Sequence, residues 1–120
     1  MNITDHITEV QEIVFGMVNM LKERGEEHDA SVVCGMEDGY HGSDIHYGLN
    51  DHHVEHHVQI EQMNMFQLLE MLADWKVEYN NRTSKNIHWD TFLFMKKTKY
   101  KITDELFNII KHTWCSIDHL

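Results

Sequence analysis

"NMFQLLEMLADWKVEY", residues 64–79, decides the fold class. Its apolar residues recur at steps of three and four, the spacing of one helical face rather than the alternation of a strand. Asn64 suits an N-cap, and Gln67 stands three residues on, where a capping box needs it. Upstream, Ile3, Ile7, Val10, Val14, Met17 and Leu21 alternate steps of four and three. That stripe predicts a helix over 3–24, started by Asn2 and ended by Gly25. A shorter helix is expected from Glu26 to about Met36, then a loop through Gly35, Gly39 and Gly42. A segment from near Ile45 holds the histidine cluster. "SKNIHWDTFLFMKKTKY" (84–100) and "TDELFNIIKHTW" (103–114) read as two further helices, capped at Ser84 and Thr103. No segment sustains period-two alternation. The expectation is an all-α chain, one compact domain over 1–120 with five or six helices.

Composition narrows the function classes. With 120 residues, no proline, six glycines and 42% apolar residues, the chain can bury a core without staples. It has no low-complexity tract or internal repeat. Cys34 and Cys115 lack paired metal-type spacing, and with no signal sequence they suggest a reducing, cytoplasmic setting. No apolar run approaches the length of a membrane span, so no membrane partner is expected. Net charge is −10 and uneven: residues 1–75 carry fifteen acids and two bases, residues 76–120 five acids and eight bases. Such acidity repels a nucleic-acid backbone, so duplex binding is not expected. A small phosphorylated ligand remains compatible if a bound cation supplies local positive charge. The run Lys96, Lys97, Lys99, Lys101 reads as the wet face of a helix end.

Eight of the eleven histidines lie in the first 57 residues, and four fall within 52–57. If that stretch is helical, His52/His56 and His53/His57 are i,i+4 pairs on one face, and each pair can share a divalent ion. The competing reading is a hydrated, histidine-rich loop titrating near neutrality. Asp74 sits mid-helix after Met71, Leu72 and Ala73 and before Trp75, and a carboxylate among such neighbours needs a partner. That partner is either a Lys or Arg on a neighbouring helix or a cation also held by His28 and Asp29. Imidazole with carboxylate suits Mn, Fe, Co, Ni or Zn better than an all-oxygen Mg or Ca cage. Nothing beyond their presence supports Cys34 or Cys115 as nucleophiles, and no glycine-rich phosphate loop exists.

The order His6, His28-Asp29, histidines and Asp74 on a helical background resembles the HD-domain metal-dependent phosphohydrolases. The chain is similar over nearly its whole length to a family of small, largely uncharacterised phage and bacterial proteins. "NITDHITEV", "LKERGEEHDAS", "HYGLNDHHVEHH", "MNMFQLLEMLADWK" and "YKITDELFNIIKHT" carry that likeness. It implies His28, Asp29 and Asp74 as ligands, with His46, His52, His53 and His56 in the histidine positions of a second metal. His6 takes a ligand position only if the chain turns back early, near Gly16, or if the second helix runs well back alongside the first, because a continuous helix carries it about 27 Å from the helix end. Two departures stand out: Val32 where the pattern has a lysine that would neutralise phosphate, and Val54 where it has a proline. The segment between Asp29 and His46 is also shortened. These bear on turnover more than on metal binding.

The activity so implied is phosphoester hydrolysis of a nucleotide or nucleotide-derived small molecule by metal-activated water. The site would take one metal ion or two, Asp29 would bridge the two where both are held, and His53 or His56 would protonate the leaving oxygen. Lys76 or Arg82 would replace the missing lysine. A second hypothesis keeps the fold, and with it the metal, in a non-catalytic protein that binds a small ligand or a host partner, in the host cytoplasm if phage-encoded. A third is a plain helical interaction module with incidental histidines. Self-association is compatible with all three, although Trp89, Phe92, Phe94 and Trp114 read as core rather than as a dimer surface.

Overall fold

The computed structural model describes residues 2–29, 50–81 and 87–120. Among them are four α-helices, α1 (Ile3–Glu26), α2 (Met65–Asn80), α3 (Trp89–Tyr100) and α4 (Asp104–Ser116), and no strand. Two single turns of 3₁₀-helix, Val54–His56 and Ile60–Gln62, punctuate the approach to α2. None of these helices is long and apolar enough to cross a membrane.

Local chemistry sets most helix ends where the sequence places them. Asn2 Oδ1 accepts from the Asp5 N–H at 2.9 Å. Asn64 Oδ1 accepts from the Gln67 N–H while Gln67 Oε1 accepts from the Asn64 N–H, both at 2.9 Å, closing the capping box. Thr103 Oγ1 accepts from the Leu106 N–H. Two ends differ from expectation. α1 runs through Gly25 to Glu26, and the left-handed residue comes later, at Asp29 (φ 57°). Residues 27–29 form turns, so no second helix starts at Glu26. α3 begins at Trp89, because His88 is extended and its own Nδ1 accepts from the Asp90 N–H at 3.2 Å. Ser84 lies outside the described residues, as does most of the helix expected to end near Met36.

The core lies among α2, α3, α4 and the segment 50–63. Leu93 and Ile60 are fully buried, with Phe92, Met71, Trp114, Ile102 and Ile110 close behind. Tyr79, Phe92 and Trp114 meet ring to ring at centroid separations of 5.3–5.9 Å, and the Tyr79 hydroxyl donates to the Ile87 carbonyl. Phe94, grouped with these aromatics by sequence, faces outward at 60% exposure. α1 stands apart: it buries no residue fully and meets α2 near its C-terminal end, where Arg24 reaches Glu70. The molecule therefore measures 54 × 35 × 28 Å. Its radius of gyration of 16.7 Å exceeds the roughly 14 Å of a compact chain this long.

Candidate metal centre

Three pieces of chain supply the site. The end of α1 and the turn after it bring Arg24, His28 and Asp29; the segment before α2 brings Asp51, His52 and His53; α2 presents Glu70 and Asp74 one turn apart on the same face. Glu70 is the centre of the arrangement. Its Oε2 lies 2.8 Å from Nδ1 of both His28 and His52, and its Oε1 lies 2.8 Å from Arg24 Nε. Burial by itself would raise its pKa, but the hydrogen bonds from His28 and His52, with the charges of His52 and Arg24, outweigh burial and hold it at about 2. An ionised carboxylate only accepts, so both Nδ1 atoms donate.

That choice turns the Nε2 atoms of both rings the other way, toward Asp29 and Asp74. His28 Nε2 lies 3.3 Å from Asp29 Oδ2 and 3.7 Å from Asp74 Oδ1. His52 Nε2 lies 3.4 Å from Asp29 Oδ1 and 3.7 Å from Asp74 Oδ2, and His53 Nε2 is also 3.7 Å from Asp74 Oδ2. These separations exceed ordinary hydrogen bonds. They match the spacing of donors around a cation, since tetrahedral ligands bonded at about 2.1 Å stand about 3.4 Å apart. His28, His52 and Asp74 form one group with ligand atoms within 4.8 Å of one another, and Asp29, His52 and His53 form another. Asp51, His52 and Glu70 form a third, whose two carboxylates already pair with Arg24. Three imidazole nitrogens and two carboxylates suit the borderline transition metals.

Electrostatics point the same way. Four carboxylates (Asp29, Asp51, Glu70, Asp74) face one guanidinium among the described residues of the cluster. The Asp74 carboxylate and the Glu70 bond push the His28 imidazole up to about 10, against the opposing effect of burial. In the metal-free protein the proton on His28 thus takes the place of a cation. Asp74 is held below its ordinary value although burial opposes this, because His28 and the charges of His53 and His52 stabilise the carboxylate.

The other residues singled out by sequence lie elsewhere. His6 is exposed on an unbroken α1, which does not turn back at Gly16 and leaves His6 about 30 Å of helix from Glu26. His56 is exposed with its ring edge-on to His57, whose Nε2 lies 2.9 Å from the Asp51 carbonyl. The i,i+4 pairing of histidines does not form, because residues 52–57 are not α-helical. His46, Val32 and Arg82 lie outside the described residues. Lys76 is buried with its ammonium 4.8 Å from the centre of the Trp114 ring. A cleft of about 920 Å³ opens beside the site, and its lining includes Asp29, His53, Asp74, Trp75, Lys96 and Tyr100. Lys96, not Lys76, is the buried-side cation on that wall, 3.1 Å from Glu78. Sequence reasoning passed over Glu70, Arg24 and Asp51. Glu70 carried the same signal as Asp74: a carboxylate between apolar neighbours, one turn earlier on the same face.

Fold and site together define an all-helical protein with a buried His/Asp/Glu cluster able to hold a metal ion. Residues 33–115 match the model of a family of unknown function, DUF5662, and the chain belongs to that family. The match takes in His52, His53, Glu70 and Asp74 and begins after Arg24, His28 and Asp29. No curated protein and no solved structure matches the chain.

Proposed function

We propose that the chain is a metal-dependent phosphohydrolase of the HD type, acting on a nucleotide or a nucleotide-derived small molecule. One observation carries the reading: Glu70 takes the Nδ1–H of two histidines at once, so their Nε2 atoms converge with Asp29 and Asp74 at the wall of a cleft of ligand size. His28, His52, His53, Asp29 and Asp74 would hold Mn, Fe, Co, Ni or Zn, as one ion or two. Such a cation supplies Lewis-acid activation of water and neutralises phosphoryl charge. Asp29 faces His28 with one oxygen and His52 with the other, the disposition of a bridging carboxylate. His53 lines the cleft and is the better of the two proposed acids, since His56 is exposed and absent from its lining. Lys96 and Lys99 on the cleft wall would steer a phosphate in place of the lysine absent at Val32.

The test joins metal analysis to a phosphatase screen. Purified protein binds Mn, Co or Zn, hydrolyses a nucleoside phosphate or cyclic nucleotide, and loses at least about a thousandfold in rate in Asp29→Ala and Asp74→Ala. Val32 and the carboxylates beside Lys96 and Lys99 (Glu78 at 3.1 Å, Glu55 at 4.0 Å) favour a second reading, a metal-loaded protein that binds without turnover. Tight metal binding with no hydrolysis of any phosphoester would select it. Protein that takes up no metal would end both.

A further inference from the structure

Among the described residues, α1 leaves an apolar face uncovered along most of its length. Ile3, Ile7, Val10, Val14 and Met17 are 42–69% exposed, although they follow the strict four-three spacing of a coiled-coil seam. Ile13, Val18 and Met20 flank the seam and are also exposed. Together they present on the order of 800 Å² of largely apolar surface, above the largest patches usual on monomers and equal to one partner's share of a standard interface. The seam stops at Leu21, and the next seam position, Arg24, turns into the metal centre.

Charge decides which partner fits. The chain carries −10 overall, which opposes self-association in general. On α1, however, Asp5, Glu9, Glu12, Glu23 and Glu26 all occupy outer heptad positions, on the side of the helix away from the seam. The positions beside it hold Thr4, His6, Gln11, Ile13, Val18 and Met20. A second copy can therefore approach with its acids pointing away, and it brings the same heptad period. We propose that the α1 face pairs two copies of this chain about a two-fold axis. The pairing stands on α1 alone and holds whether or not the centre at its far end takes a metal.

Sedimentation equilibrium of the full chain from low micromolar to sub-millimolar concentration tests it. The expected result is a dimer whose dissociation constant rises at least about a hundredfold in Val10→Glu with Val14→Glu, with helical circular dichroism retained. Glu12→Lys, on the opposite face, leaves the equilibrium unchanged. Should the charged pair unfold the helix, Val10→Ala with Val14→Ala decides, since alanine favours helix and removes only seam contacts. A wild-type chain that stays monomeric throughout, its stripe covered from within, overturns the proposal. So does a dimer that survives both variant pairs, or a stripe that captures only a different protein.

Discussion

Glu70 receives two imidazoles and a guanidinium through two oxygens, and the behaviour of the site with pH follows from that. Its pKa of about 2, against an ordinary 4.5, means that it stabilises the folded chain above pH 4.5 and loses that contribution as pH falls toward 2. His28, raised from 6.5 to about 10, contributes fully below pH 6.5 and progressively less as pH rises toward 10. Denaturant titrations of metal-free protein should accordingly show greatest stability between about pH 4.5 and 6.5, with a decline on both sides. A metal at the Nε2 atoms must displace the His28 proton, so its uptake releases protons and tightens as pH rises. Calorimetry at pH 7 in buffers of different ionisation enthalpy reads that release directly. Proton-neutral binding would place the ion away from His28. In Glu70→Gln the same titrations should show metal affinity weakened about 10–100-fold, because an amide cannot accept from both rings and Arg24.

Among the elements, α2 does two jobs. Its capping box starts the helix, and its Glu70/Asp74 face is thereby set in register with the histidines. Asn64→Ala should lower stability by about 1 kcal/mol in thermal denaturation, since it removes the acceptor for the Gln67 N–H. The histidine segment brings His52 and His53 into one cluster because it is not an α-helix. Adjacent residues on an α-helix diverge by about 100°, yet His52 and His53 are both buried with rings 4.2 Å apart. The extended backbone at His53 (φ −102°, ψ 138°), followed by one tight turn, allows this, and it also puts His56 outside. Periodicity in a run as short as two histidine pairs separated by Val54 and Glu55 could not distinguish the two conformations.

For the whole molecule, burial is unevenly shared. The aromatic centre of Phe92, Trp114 and Tyr79 ties α2, α3 and α4 together, while α1 contributes its polar end to the site and its apolar face to solvent. Trp114→Ala should cost about 3–5 kcal/mol of unfolding free energy in denaturant titration, the range for emptying a packed aromatic site. Lys76 shares that environment, its ammonium over the Trp114 ring, so the substitution should also loosen this cation.

The helical class, three of the four N-caps and the α1 stripe were legible because each depends on neighbours within about four residues. His28, Asp29, His52, His53 and Asp74 were legible as residue types that ask for a cation. Tertiary structure alone decided which donors meet, that Glu70 orients them, that Lys96 rather than Lys76 lines the cleft, and that His6 is remote. Those outcomes depend on pairs up to 46 positions apart in the chain, as from His28 to Asp74. Their distances follow from how α1, the histidine turn and α2 pack, a relation that no local spacing encodes.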